Sequence, residues 1–153
     1  MRRVGALIFG PALGFCFALL LDCGLGHAQS AAAIQQYVAK RNPGCDIFGF
    51  AENYRGPLAG SPRPVVIAAY TVEGCGRGNY YERFFGVFYD ENGTVQQYKK
   101  PPGTLNGVER VTVAGGRITV HMKQLGPNDP RCCPTVSRQA VFELRDGAIV
   151  PVK

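Results

Sequence analysis

The chain has 153 residues, of which 46% are hydrophobic and 18% are charged, and its formal net charge is +6. This length suits one ordinary domain, and the hydrophobic content excludes a disordered or polyelectrolyte chain. The six cysteines bear on whether the chain is in an oxidising compartment. The excess of basic residues suggests an anionic partner.

Residues 1–28 have the three-part layout of a secretory signal peptide. Two arginines give a positive start, an apolar run covers residues 4–21, and small residues precede the expected cleavage point between Ala28 and Gln29. The prediction is a secreted or periplasmic mature domain of residues 29–153, with no stable membrane span after cleavage. The alternative is a retained anchor, since eighteen apolar residues are near the minimum for a spanning helix.

Cleavage would lower the formal net charge to +5 and leave four cysteines in the mature chain. Four cysteines in an exported chain fit two disulfides, because an oxidising compartment lets such bonds persist. The disulfide candidates are Cys45, Cys75, Cys132 and Cys133. Neighbouring cysteines bridge each other only with strain. We therefore expect Cys132 and Cys133 to pair separately with Cys45 and Cys75; the alternative is a single bridge that leaves two free thiols.

The mature sequence begins with one helical pattern. Ser30 is a plausible N-cap, and Ile34, Tyr37 and Val38 follow at helical spacing. The Asn-Pro-Gly sequence at 42–44 ends the pattern, because the residue before a proline is disfavoured in helices and glycine permits the reversal of the chain. A narrow apolar stripe of this kind needs a sheet to pack against.

The rest of the sequence has the pattern of strands and turns. The apolar run at 65–72 is typical of a strand buried on both faces, whereas 117–123 alternates and indicates a sheet with one solvated face. Further strands are predicted over 80–89, 95–98, 108–113, 136–144 and 148–152. The predicted fold is α+β, with one N-terminal helix packed on a mostly antiparallel sheet of about six or seven strands in hairpin order.

The segment 129–135 reads Asp-Pro-Arg-Cys-Cys-Pro-Thr and is followed by a strand and then Arg145-Asp146-Gly147. Over residues 80–150 this arrangement resembles the LppP/LprE lipoprotein family of exported bacterial proteins. The resemblance implies an exported envelope protein of undefined biochemical role, and it carries over no catalytic residues. The chain departs from the family name because Asp22 precedes Cys23, where a lipid-attachment signal requires a small residue.

The sequence offers little catalytic chemistry. His121 is the sole histidine after residue 28, no serine lies in a nucleophile-elbow sequence, and the cysteine spacing does not fit zinc. We therefore predict no catalytic residue, no metal and no cofactor. Two alternatives stay open: a thiol redox or soft-metal-handling protein using the vicinal cysteines Cys132 and Cys133, and a small hydrolase using His121.

Positive charge and aromatic side chains suggest a ligand surface. Its candidate residues are Tyr80, Tyr81, Lys99, Lys100, Arg110 and Arg117. Export favours an anionic envelope polymer or a lipid headgroup as the partner over nucleic acid. The function predicted from the sequence is a non-catalytic exported envelope or periplasmic protein that serves binding or envelope maintenance.

Overall fold

The computed structural model describes residues 25–75, 81–101, 107–130 and 133–153, with the backbone alone for 25–30. Within these residues the helix α1 (Leu25–Arg41) is followed by eight strands in two antiparallel sheets. Sheet A has the order β1-β2-β3-β4 and sheet B the order β5-β6-β7-β8. The strands are β1 (Asp46–Gly56), β2 (Val65–Glu73), β3 (Tyr81–Glu91), β4 (Thr94–Gln97), β5 (Val108–Ala114), β6 (Arg117–Gln124), β7 (Val136–Arg145) and β8 (Ala148–Pro151).

The prediction of one sheet with six or seven strands is therefore wrong, although helix plus sheet is broadly α+β. The two sheets separate just after β4. The Tyr98 N–H still donates to the Val87 carbonyl of sheet A at 3.0 Å, whereas the Lys99 N–H donates to Gly147 of sheet B at 3.3 Å. The Lys99 carbonyl accepts from Ile149 at 3.1 Å. Tyr98 thus pairs with sheet A and Lys99 with sheet B, so the chain passes from the first sheet to the second between these two residues.

Sheet A is the middle of three layers. Its inner face packs on sheet B and its outer face packs on α1, so β2 is buried over its first eight residues, as the apolar run predicts. The inner core joins Ile67 and Val87 of sheet A to Ile118 and Val120 of sheet B, all fully enclosed. The helix contributes Ile34 and Val38 to a separate outer core that contains Tyr70 and Phe88.

The helix begins earlier than the predicted N-cap. It starts at Leu25, so its backbone runs through the Ala28–Gln29 bond, and Ser30 lies inside it. The predicted end is confirmed at Arg41, where the Asn42 side-chain amide donates to the Val38 carbonyl at 2.8 Å. In the described part of the chain, no helix combines the length and apolarity that a membrane crossing needs.

Strand β1 has no counterpart in the predicted elements. Two register irregularities, between Phe48 and Ala51 and between Glu52 and Tyr54, interrupt its alternation. At the second, the Asn53 side chain replaces a backbone partner by accepting from the Ala69 N–H at 3.1 Å. Bulges of this kind remove the period of two on which strand prediction depends, and they are common on edge strands.

The expected disulfide pairing is also wrong. Cys45 is bonded to Cys75, with 4.4 Å between their Cα atoms. The pairing follows from strand register, because Asp46 and Glu73 are partners at the end of the β1–β2 ladder and the two cysteines lie just beyond them. Cys133 is also disulfide-bonded, and Cys132, the other half of the vicinal pair, lies outside the described residues.

Candidate anion-binding face

The five described members of the predicted ligand surface lie on different parts of the fold. Tyr80 lies outside the described residues. Tyr81 is 62% exposed at the start of β3, with its ring centroid 6.4 Å from that of Phe48. Arg110 and Arg117 lie on the neighbouring strands β5 and β6 of sheet B.

The two predicted lysines lie near the junction of the sheets. The Lys99 backbone is fixed by its pairing with β8, and its side chain is exposed. The Lys100 Nζ lies 4.9 Å from the Phe84 ring centroid on the sheet A side. Desolvation lowers the pKa of Lys100, against the opposing attraction of Glu82, although the side chain as a whole remains exposed.

The outer face of sheet B, which points away from sheet A, collects most of the polar chemistry. Strand β6 alternates strictly: Ile118, Val120 and Met122 are buried, and the residues between them point outward. Register then places polar side chains of β5 and β7 beside them. The outer face contains Arg110, Thr112, Arg117, Thr119, His121, Lys123, Ser137 and Gln139, together with Val141 and Glu143 of β7.

Three cations of this face are not neutralised. No carboxylate among the described residues lies within 4.0 Å of Arg110, Arg117 or Lys123. Lys123 Nζ donates only to the Thr135 carbonyl, at 3.4 Å. Glu143 is the acidic residue on this side of β7, and it forms an ion pair with Arg145.

Among the described residues, His121 contacts an arginine and forms no ion pair with an acid. The Arg110 Nη2 lies 3.3 Å from His121 Nε2, and because a guanidinium can only donate, Nε2 accepts and the proton of the neutral ring is on Nδ1. Register places Gln139 on the other side of His121. General base catalysis of the triad kind requires a carboxylate or a similar group to orient the imidazole. The described residues around His121 supply a cation instead.

The strands of the two sheets differ in their balance of acidic and basic residues. The strands of sheet A contain two basic and six acidic residues, whereas the strands of sheet B contain five basic and two acidic residues. In sheet A these are Arg55 and Arg83 against Asp46, Glu52, Glu73, Glu82, Asp90 and Glu91; in sheet B they are Arg110, Arg117, Lys123, Arg138 and Arg145 against Glu109 and Glu143. Among the strand residues, positive charge therefore predominates on sheet B and negative charge on sheet A.

The loop between β6 and β7 carries the cysteine motif. Asp129 closes it: Oδ2 accepts the N–H groups of Gly126 and Thr135, both at 2.7 Å, and Oδ1 accepts the Thr135 hydroxyl at 2.9 Å. The backbone hydrogen bonds from Gly126 and Thr135 lower the pKa of Asp129. Inside this loop the Cys133 N–H donates to the Pro130 carbonyl at 2.9 Å. The acid and the threonine of the motif thus have a structural role.

Of the residues on the outer face, only Arg110 and Arg117 were identified as ligand candidates from the sequence. Lys123 and Gln139 become neighbours of Arg110 and His121 only through the pairing of three strands. The alternation in β6 was the available signal for Lys123, because it places that residue on the same face as His121. Among the described residues, no group of three or more histidine, cysteine or acidic side chains could hold a metal ion.

Comparisons of the chain with protein-family models, with curated proteins and with solved structures found no match. The resemblance to the LppP/LprE family therefore remains a prediction.

Proposed function

We propose that this chain is an exported, non-catalytic binding domain that holds an anionic envelope polymer on the outer face of sheet B. The observation that carries the proposal is the set of three cations, Arg110, Arg117 and Lys123, which lack carboxylate partners among the described residues. In the part of the chain that the structure describes, α1 packs on sheet A and not on this face. Unpaired surface cations attract polyanions at a range set by ionic strength.

The shape of the face favours an extended polymer over a lipid headgroup. Arg117 and Lys123 are six residues apart on one strand, a distance of about 20 Å at the usual rise of a β-strand. Arg110 lies on the adjacent strand, and threonine, serine and glutamine side chains fill the spaces between the cations. A flat row of cations and hydrogen-bonding groups suits a repeating anion. Bilayer insertion needs a band of exposed apolar residues, which these positions do not provide.

The test is binding of the full chain to long-chain polyphosphate and to polygalacturonate, measured by isothermal titration calorimetry at low ionic strength. Arg110→Gln/Arg117→Gln/Lys123→Gln should weaken binding to both polymers by about tenfold or more. The control Lys40→Gln/Arg138→Gln/Lys153→Gln removes the same charge from exposed positions outside this face. Equal losses in both variants would show that net charge alone drives binding. Binding only to phosphatidylglycerol vesicles would replace the polymer with a lipid headgroup.

Export is the second part of the proposal, and the Cys45–Cys75 disulfide supports it because such bonds persist in oxidising compartments. Cleavage after Ala28 would remove Cys16 and Cys23, leaving Cys132 as the cysteine available to Cys133 within the chain. Non-reducing peptide mapping of protein from its native compartment shows which cysteine is bonded to Cys133. A bond from Cys133 to Cys16 or Cys23 would contradict cleavage. A Cys132–Cys133 bond that is readily reduced would favour the thiol redox alternative.

A further inference from the structure

A cleft of about 520 Å³ lies between α1 and the outer face of sheet A. The α1 residues Ala33 and Ile34 form one wall, and the loop that precedes β2 forms the opposite wall with Arg63. Val66 and Phe88 are among the residues between them. The volume falls within the range of pockets that hold small organic ligands.

The floor of the cleft is apolar and rigidly packed. Val66 and Phe88 are partners in the β2–β3 ladder, and both are buried in the outer core beside Ile34. The Tyr37 ring meets the Phe88 ring edge-on, with 6.0 Å between the centroids. Val95 of β4 extends the floor toward the sheet edge. A preformed apolar floor of this kind suits a hydrocarbon chain.

Two guanidinium groups line the cleft and are held in place from outside it. Arg55 donates through Nε and Nη2 to both carboxylate oxygens of Glu52, at 2.8 and 2.6 Å. Arg63 donates through Nη1 to Glu91 at 2.7 Å. Neither glutamate lines the cleft, whereas both arginines do. The third charged lining residue, Asp90, accepts the Gly93 N–H at 2.8 Å.

Register explains the position of one arginine relative to the floor. Arg55 is the ladder partner of Val66, which is the partner of Phe88, so a guanidinium and two apolar side chains form one row across three strands. A guanidinium has five N–H donors, and Arg63 uses one of them on Glu91. Further donors of the Arg63 fork are therefore available to an anionic group at the mouth of the cleft.

We propose that this cleft binds an anionic amphiphile of the fatty-acid class, with the hydrocarbon chain on the floor formed by Val66, Phe88 and Val95 and the carboxylate at Arg63, on the side of the cleft that Arg55 also lines. The site is separate from the outer face of sheet B. A single carboxylate needs only the Arg63 donors that Glu91 does not use, whereas a polymer with many charges would also meet the acidic side chains of sheet A. The glutamate partners orient these groups before the ligand arrives.

The experiment measures binding of laurate to the full chain by isothermal titration calorimetry, with dodecyltrimethylammonium as the charge-reversed probe. We expect laurate to bind and the cation to bind at least about tenfold more weakly. Arg55→Gln/Arg63→Gln should weaken laurate binding by about tenfold or more, since it removes charge-assisted hydrogen bonds. Arg138→Gln, an exposed arginine on sheet B, is the charge control and should leave laurate affinity unchanged.

A second variant tests the apolar part of the site. Ala33→Phe fills the cleft from the helix wall and should abolish laurate binding, whereas Gln35→Phe, two residues away on an exposed position, should retain it. Absence of laurate binding, or tighter binding of the cationic probe, would overturn the proposal. Self-association of the chain that Ala33→Phe removes would assign the cleft to a second copy and would also overturn it. Polyphosphate binding measured on the same samples keeps this outcome distinct from failure of the proposed function.

Discussion

At the scale of single residues, Asp129 gives the cysteine motif a physical explanation. One carboxylate accepts three hydrogen bonds from Gly126 and Thr135 and so fixes the loop that carries the disulfide-bonded Cys133. The sequence displayed the acid and the threonine six residues apart. It could not show that they meet, because no regular element connects them.

Asp129→Asn should lower the Tm at neutral pH, because the amide retains one acceptor oxygen where the carboxylate has two. The pKa of Asp129 is lowered from 3.8 in the folded chain. The stabilisation it gives is therefore present above pH 3.8 and is lost as the pH falls through the lowered value. Thermal unfolding followed by circular dichroism at several pH values should show the two proteins converging in acid. A Tm difference that is independent of pH would contradict this role.

Gly60 provides a second prediction at this scale. Its φ is +83°, and a Cβ there would lie 1.9 Å from the Leu144 carbonyl oxygen in sheet B. Gly60→Ala should therefore destabilise the fold by about 3 kcal/mol or more, by adding a backbone clash to the strain of positive φ. Gly93→Ala is the matched control, with φ +80° and open space around the Cβ position, and should cost about 1–2 kcal/mol. Equal losses in urea unfolding would refute the clash.

At the scale of elements, the sequence predicted strands well where alternation or an unbroken apolar run was present. The apolar run of β2 and the period of two in β6 belong to strands whose faces are clearly defined by burial. Strand β1 was not predicted because its bulges and its polar residues Glu52 and Asn53 interrupt the alternation by which a strand is recognised. The division into two sheets depends on the hydrogen bonds of Lys99, which no local pattern encodes.

The Cys45–Cys75 bond links the residues that flank β1 and β2, with a sequence separation of 30. A cross-link of that length stabilises the fold by about 3–4 kcal/mol, chiefly by restricting the unfolded chain. Cys45→Ala/Cys75→Ala should reduce the free energy of unfolding in urea by about that amount under non-reducing conditions. A midpoint equal to that of the unmodified chain would mean that this bond is absent from the protein in solution.

At the scale of the whole molecule, the two sheets enclose one apolar core between them and differ in the sign of their charge. The inner faces share one apolar core, and among the described residues α1 packs on the acidic sheet and not on the outer face of the basic sheet. The net charge of +6 was readable from the sequence, but the contrast between an acidic sheet A and a basic sheet B required the pairing of the strands. The difference in charge between the two sheets favours binding of a polyanion to sheet B, and the proposed function therefore depends on the outer face of sheet B.

The salt dependence of polyphosphate binding tests this claim most directly. Each cation that contacts the polymer releases counterions, so the slope of log affinity against log salt reports the number of such contacts. Arg110→Gln/Arg117→Gln/Lys123→Gln should reduce the magnitude of the slope by about three, whereas Lys40→Gln/Arg138→Gln/Lys153→Gln should leave it unchanged. Equal slopes for the first variant and the unmodified chain would place the polymer elsewhere and contradict the proposed function.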